Sequence, residues 1–299
     1  MKHLLRDNAL EAWSMAVKCC NEILDGKTTL GYRKHFVSSL HNAVELFIKQ
    51  RMLDVNDFRV VEIKNGVMAD GQPAKEYFNA SDLNAYFMGL NQEEMKPFFS
   101  AEFNKLSIYS KELFKEYYVE TGNKNVVCDA LEKLKILRNN EMHFYIDKDM
   151  FLSETDFRQL HNFMIVFYEI LQRYNLLPFW GEPGRSEYSK LSFGKEKLDD
   201  FTYKKAVKKS KFVKRLKEMT KNEVFPVLGD SAYEIAESIA WVLSDEYKDV
   251  KFDDLWTYVE MMKEYGILSC DVIGEEYEYE EYGNIYCGCN KYQTFGIEI

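Results

Sequence analysis

Four polar residues near the middle of the chain have types and a spacing that could do chemistry. Arg138, Asn139, His143 and Tyr145 fall within the run Leu137-Arg-Asn-Asn-Glu-Met-His-Phe-Tyr. Histidine takes up and releases protons near neutral pH, and arginine presents a planar fork of donors that fits a phosphate. Together they could move a proton beside a phosphate group, provided that the fold brings them to one place.

The spacing determines which of these residues share a helix face. The run follows a helical pattern over about 126–137, so Asn139 and His143, four residues apart, share a face. Arg138 and His143 are five residues apart and diverge by about 140° at 3.6 residues per turn. One helix therefore presents this Arg–His pair awkwardly to a single substrate.

Long amphipathic helices must position this run. Proline, which breaks helices, is absent from 98–177. Apolar residues at helical spacing predict helices over about 10–24 and 32–53. A further helix is predicted to begin after Ser153, a good N-cap residue with Asp156 three positions later.

Residues 55–125 are less regular. Phe58–Ile63 has the composition of a short strand followed by a turn, and 107–118 has a helical pattern. This region is expected to be an insertion between the longer helices.

The residues described above resemble the HEPN superfamily of small α-helical ribonucleases, whose signature is Arg, a polar residue, a few spacers and His. Arg138-Asn139-x3-His143 matches that signature, and Tyr145 extends it to the Arg-x4-His-x-Tyr form of HEPN toxins that are paired with nucleotidyltransferase antitoxins. Residues 43–49 are similar to the family's second helix. The resemblance implies a mainly α protein with an N-terminal HEPN-like helical bundle over 1–178.

The resemblance also implies an activity, namely metal-independent cleavage of RNA. The RNA supplies its own 2′-hydroxyl nucleophile, so no cofactor or metal is expected, and the products would be a 2′,3′-cyclic phosphate and a 5′-hydroxyl. Arg138, His143 and Asn139 would be catalytic. The family forms dimers in which two motifs meet, which implies a homodimer with a composite active site.

Each residue of the motif also has a purely structural interpretation. Arg138 could pair with Glu141 on a helix surface, and His143 could be a hydrogen-bonded histidine near a helix end. Tyr145 could pack in the core, stack on substrate or, as the toxin subfamily implies, accept an inhibitory nucleotide from an antitoxin.

Glu45 and the other histidines are less informative. Glu45 is predicted either to pair with Lys49 one turn later on a solvated face or to support Arg138. The remaining histidines have no partner pattern and are assigned no role: His3, His35, His41 and His161.

The C-terminal part of the chain is predicted to be a separate module. Residues 179–198 are rich in helix-breaking residues, which predicts a linker. Residues 199–299 are predicted to form a basic helix followed by an acidic winged-helix-like α+β module. In that module, helices over about 231–247 and 253–265 precede two strands joined by the acidic stretch 274–284. The basic helix, expected over about 199–221, could track an RNA backbone or simply be solvated, and its cationic residues are Lys204, Lys205, Lys208, Lys211, Lys214 and Arg215.

Six cysteines do not form a disulfide scaffold in a chain of 299 residues. Cys19, Cys20 and Cys128 are expected to be small buried residues. Cys287 and Cys289 lie on the predicted hairpin with Cys270 on the facing strand, but a zinc site normally takes four ligands, so no metal is predicted.

The charge is unevenly distributed. The net charge of the chain is -10, yet residues 221–299 alone carry -13 and 1–220 carry +3. The overall acidity therefore does not exclude RNA, and the acidic module could compete with RNA for a basic surface. No apolar run is long enough to span a membrane, and the N-terminus lacks an apolar signal core, so a cytoplasmic protein without membrane contact is expected.

The leading hypothesis is therefore an endoribonuclease that acts as a toxin or an antiphage abortive-infection effector, with a possible antitoxin or regulatory protein as partner. Two alternatives come from other classes: a non-catalytic HEPN scaffold that binds or regulates other proteins, and a winged-helix DNA-binding regulator. The second conflicts with the acidic 253–265 helix, because DNA binding needs positive charge.

Overall fold

The protein is mainly helical in a computed structural model that describes residues 4–63, 72–142, 151–178, 193–194, 196, 198–214, 225–227, 231–242, 252–281 and 284–297. It divides into two compact units. Unit 1 comprises Met1–Asn21 and Arg33–Asp200, and unit 2 comprises Glu22–Tyr32 and Phe201–Ile299.

Unit 1 is built from long helices with several short elements inserted between them. The long helices are α1 (Arg6–Leu24), α2 (Leu30–Asp54), α8 (Lys124–Met142) and α9 (Glu154–Arg173). The short elements are β1 (Val61–Ile63), α3 (Gln72–Phe78), α4 (Leu83–Gly89), α5 (Gln92–Met95), β2 (Phe98–Ser100), α6 (Phe103–Leu113) and α7 (Lys115–Thr121). The sequence patterns for α1, α2, α8 and α9 are confirmed.

The start of α9 follows its local capping signal. The Ser153 side chain accepts a hydrogen bond from the Asp156 backbone N–H, and the Asp156 carboxylate accepts one from the Ser153 N–H. This reciprocal box satisfies two of the N–H groups that a helix start leaves unpaired. α9 then packs against α8.

The inserted region is more irregular than its sequence suggests. Phe58–Val60 is a single 3-10 turn capped by Asp57, and only Val61–Ile63 forms a strand, paired antiparallel with Phe98–Ser100. The helix predicted over 107–118 is also divided, because Phe114 leaves helical geometry with φ of -114° and ψ of 19° and is fully buried.

The core of unit 1 is an aromatic cluster centred on Trp13 of α1. Its indole ring is fully buried and lies 6.0 Å from the Phe167 ring of α9 and 6.4 Å from the rings of Phe47 in α2 and Phe193. Aromatic side chains bury large areas, so these contacts hold α1, α2 and α9 together. Phe193, which lies within the stretch predicted as a linker, is part of this core.

Acidification is expected to destabilise unit 1 through His161 of α9, which is 1% exposed. Burial lowers the pKa of His161 below its ordinary value of 6.5, despite a hydrogen bond to the backbone of Gly194. Between that lower pKa and pH 6.5, the unfolded chain therefore binds a proton at this histidine and the folded protein does not. The free energy of unfolding has its full value above pH 6.5 and decreases as the pH falls through this range.

Urea unfolding at pH 7.5 and pH 5.5 measures this effect. The contribution of one such group is at most about 1.4 kcal/mol per pH unit. His161→Gln should reduce the difference between the two midpoints, and a variant with an unchanged difference would contradict the assignment to His161.

Among its described residues, unit 2 has helices and a three-stranded antiparallel sheet. The elements are α10 (Tyr203–Lys209), β3 (Phe225–Val227), α11 (Ala232–Val242), α12 (Phe252–Glu264), β4 (Leu268–Glu281) and β5 (Asn284–Ile297), and the order of strands in the sheet is β3–β5–β4. The acidic stretch predicted as a connection is mostly strand, since Glu and Tyr alternate there with the period of two that suits a β-strand.

The basic helix predicted over 199–221 is interrupted. α10 begins at Tyr203, after Thr202 caps it, and ends at Lys209, because the next residue, Ser210, has a ψ of 150° that is not helical. The Ser210 hydroxyl then accepts a hydrogen bond from the Val213 N–H and starts a separate helical turn over 211–214. A cap residue inside the basic run therefore divides it.

The turn between α1 and α2 packs within unit 2. Gly26 has a φ of +94°, and a Cβ atom there would lie 2.9 Å from Val207 Cα, so the position requires glycine. Lys27 lies 2.8 Å from Asp254 and 2.9 Å from Glu22. Burial alone would lower the pKa of Lys27, but these two carboxylates raise it above its usual value, so its ammonium group stays charged.

Among the described residues, no helix combines the length and the apolar composition that crossing a membrane requires.

Candidate active site

An open polar cleft of about 400 Å³ lies in unit 1 between α1, α2 and α8. α2 supplies most of its wall, and α1 and α8 contribute one residue each. The described residues that line it are Ala12, Ser38, Ser39, His41, Asn42, Glu45 and Arg138.

Arg138 lines this cleft because of its position on α8. Ala130, Leu134 and Leu137 recur at helical spacing and are buried, so the next residue, Arg138, lies at the border of the buried face and is half-buried. Asn139 is exposed on α8 and is outside the described lining of the cleft. His143 and Tyr145 lie outside the described residues, and so do the side chain of Glu141 and its predicted pairing.

Glu45 pairs with Lys49, as one of its two interpretations predicts. Its carboxylate accepts a hydrogen bond from Lys49 Nζ one turn later on α2, and the same side chain lines the cleft that Arg138 also lines. Lys49 is 5% exposed, so this pair is largely shielded rather than solvated. The carboxylate thereby adds a negative charge to a cleft that also holds a guanidinium.

His41 is the residue that sequence reasoning missed. Its Nδ1 lies 3.7 Å from Glu45 Oε2, and its ring stacks on Phe103 of α6 with centroids 4.0 Å apart and planes 25° from parallel. The spacing of four between His41 and Glu45 was a local signal for this pair. The contact with Phe103 had no such signal, because the two residues are far apart in sequence.

The cleft thus combines a guanidinium, an imidazole, a carboxylate and neutral hydrogen-bonding groups. The guanidinium of Arg138 suits an anion such as a phosphodiester, and an imidazole beside a carboxylate suits proton transfer. Asn42, Ser38 and Ser39 add an amide and two hydroxyls that can donate to phosphate or ribose oxygens. This set of groups can bind a phosphate and move protons beside it.

The predicted RNA-tracking lysines are in unit 2. Lys204 and Lys205 are exposed on α10, and Lys208 is half-buried there because Tyr203, Ala206 and Val207 occupy the buried face. The two others follow the interruption at Ser210 and are exposed: Lys211 and Lys214. Arg215 lies outside the described residues. The lysines therefore belong to two short segments and not to one continuous helical stripe.

The cysteines lie on two helices of unit 1 and on the β4–β5 hairpin of unit 2. Cys19 and Cys20 are buried in α1, as predicted, and burial raises the pKa of the Cys20 thiol far above its usual value, which keeps it protonated. Cys128 is half-buried in α8. The backbone register of the hairpin places Cys270 opposite Phe295, six positions along β5 from Cys289. That offset corresponds to roughly 20 Å along a strand.

Comparisons with protein-family models, curated proteins and solved structures give no match for this chain.

Proposed function

We propose that this protein is a metal-independent endoribonuclease of the HEPN type that acts as a toxin or an abortive-infection effector. The observation that carries the proposal is the position of Arg138. The arginine of the Arg-Asn-x3-His-x-Tyr motif lines a polar cleft in a helical unit, together with groups that can bind a phosphate and transfer protons.

The proposed reaction uses the 2′-hydroxyl of the RNA as nucleophile. Its oxygen forms a bond to phosphorus and loses its proton to a base, and the bond from phosphorus to the 5′-oxygen breaks as that oxygen gains a proton from an acid. Arg138 holds the phosphate as negative charge develops on it. His143 takes part in proton transfer, with Asn139 as a supporting polar group.

The active form in this proposal is a homodimer. Arg138 and His143 diverge by about 140° around one helix, so a second copy is needed to complete a site that contains both groups. Tyr145 remains a candidate for substrate stacking or for modification by a partner antitoxin.

Unit 2 is proposed to be a winged-helix-like module that senses, inhibits or recruits. Helices α11 and α12, followed by the β4–β5 hairpin, support the winged-helix-like assignment. Glu260 and Glu264 are exposed on α12 against a single lysine, Lys263. This charge makes contact with a DNA groove unfavourable and favours a protein partner or an internal regulatory role.

The chemistry of the products tests the proposed function. Purified full-length protein should cleave RNA in the presence of EDTA, leaving fragments with 5′-hydroxyl and 2′,3′-cyclic phosphate ends. An RNA with 2′-O-methyl groups throughout should resist cleavage because it lacks the nucleophile. Absence of cleavage, loss of activity in EDTA, or fragments with 3′-hydroxyl ends would contradict the proposal.

A further inference from the structure

Two exposed aromatic side chains meet on the surface of unit 2. Tyr233 of α11 is 47% exposed, and Trp256 of α12 is 43% exposed. Their ring centroids lie 5.8 Å apart and their planes are 86° from parallel, which is an edge-to-face contact. Because the two rings are in contact with each other, they offer a surface to a partner and not a pocket to a small ligand.

One glutamate follows each aromatic residue at a distance of one helical turn. On α11, Glu237 lies four positions after Tyr233 and is exposed. On α12, Glu260 lies four positions after Trp256 and is also exposed. Residues four apart share a helix face, with Cβ atoms about 5–6 Å from each other. Each of the two rings therefore has a carboxylate beside it.

These two carboxylates differ from other acidic groups on the same helices, which are already engaged. The carboxylate of Glu234 accepts hydrogen bonds from the backbone N–H and the hydroxyl of the serine that caps α11. Asp254 lies 2.8 Å from the ammonium group of Lys27. Within the described part of the chain, Glu237 and Glu260 form no ion pair, so their charges are available to a partner.

The face that comprises Tyr233, Glu237, Trp256 and Glu260, here called the aromatic–acidic face, has the chemistry to bind arginine side chains. A guanidinium can stack on an exposed aromatic ring and donate hydrogen bonds to a carboxylate next to it. Lysine has no planar group to stack, so arginine is the better match. A nucleic acid, or the same face of a second copy, would bring negative charge against the two glutamates.

We propose that the aromatic–acidic face is a docking surface for a partner protein, which it binds through an exposed basic segment that presents arginine. The charge of the surrounding sequence agrees with this partner, because residues 221–299 carry -13 and attract a basic protein before contact is made. The inference gives a surface and a chemistry to the recruiting role proposed for unit 2. Binding at this face requires no RNA cleavage, so failure of the nuclease proposal would leave it standing.

Fluorescence anisotropy of labelled peptides tests the proposal with the full-length protein. The probe is a short synthetic peptide rich in arginine and leucine. Two matched peptides carry lysine or glutamate in place of every arginine. The arginine peptide should bind most tightly and the lysine peptide more weakly, whereas the glutamate peptide should not bind. Added salt should weaken the binding of the arginine peptide, because it screens the exposed carboxylates.

Four variants locate the binding site. Trp256→Ala should weaken the binding of the arginine peptide at least about tenfold, as expected for the loss of an aromatic anchor. Glu260→Gln should weaken it less and reduce its salt dependence, because one charge is removed. Lys263 lies seven positions after Trp256, two turns along the same face of α12, so Lys263→Glu should strengthen binding. The control is Val119→Ala, which replaces a side chain of unit 1 that is 78% exposed and should leave binding unchanged.

Three results would overturn the proposal. The first is that the wild type does not bind the arginine peptide, or binds the glutamate peptide equally well. The second is that Trp256→Ala binds the arginine peptide as tightly as the wild type, with urea unfolding showing that both are folded. The third is that the wild type binds an RNA oligonucleotide or associates with itself and that Trp256→Ala abolishes this, because the face would then serve RNA or a second copy.

Discussion

Arg138→Ala is expected to lower the rate constant of RNA cleavage by about 10²–10³-fold, the effect of removing one group that stabilises charge in a transition state. Arg138 is half-buried at the edge of α8 and lines the cleft, so its loss removes a cation where the phosphate would lie while leaving the buried face of α8 intact. Arg138→Lys should recover only part of the rate, because an ammonium group keeps the charge but lacks the planar fork that binds two phosphate oxygens.

The measurement compares single-turnover cleavage of a labelled RNA by the wild type, Arg138→Ala, Arg138→Lys and His143→Ala. Loss of the proton-transfer group in His143→Ala should cost about 10²–10⁴-fold. Lys135→Ala is the matched control, since Lys135 is on the same helix, pairs with Glu132 and is absent from the described lining of the cleft. An Arg138→Ala variant as fast as Lys135→Ala would exclude this cleft as the site of cleavage.

A mixture of the Arg138→Ala and His143→Ala variants also tests the homodimer. If each active site takes Arg138 from one copy and His143 from the other, mixing the two inactive variants should restore activity, because a mixed dimer contains one site with both residues intact. No recovery in a mixture shown to exchange subunits would argue for sites formed within one copy.

Local signals were sufficient for the features that depend on near neighbours in sequence. The start of α9 was predictable because Ser153 and Asp156 satisfy each other's backbone N–H groups within one turn. The border position of Arg138 follows from the apolar spacing that precedes it in α8. The interruption at Ser210 also has a local cause, since serine at that point can cap a new turn, but the prediction of one continuous helix over 199–221 missed it.

Contacts between distant segments were not predictable in this way. The stacking of His41 on Phe103 depends on how α6 lies against α2, and the ion pair of Lys27 with Asp254 joins residues 227 positions apart. Side-chain chemistry alone does not indicate which distant partner a residue meets. For this reason the sequence indicates Arg138 as a site residue, while the place of His41 in the cleft depends on the packing of unit 1.

Trp13→Ala should lower the free energy of unfolding by about 3–5 kcal/mol, the range for removing a large aromatic side chain from a well-packed core. Trp13 is 0% exposed and its ring lies 6.0 Å from Phe167 and 6.4 Å from Phe47 and Phe193, so no single neighbour can fill the space. α1 and α2 both border the cleft, and Trp13 is the largest of the fully buried side chains of α1. Loss of activity in Trp13→Ala should therefore follow the fraction of unfolded protein and not the chemistry of the cleft.

Urea unfolding followed by far-UV circular dichroism measures this effect, because it does not depend on the fluorescence of the residue that is replaced. Met15→Ala is the matched control, as Met15 is on the same helix but 46% exposed, and it should change the free energy of unfolding by less than about 0.5 kcal/mol. If Trp13→Ala and Met15→Ala shift the midpoint equally, the aromatic cluster does not hold α1 against α2 and α9. In that case α2 would keep its place beside the cleft through its own buried face, which includes Phe36, Leu40, Val44 and Phe47.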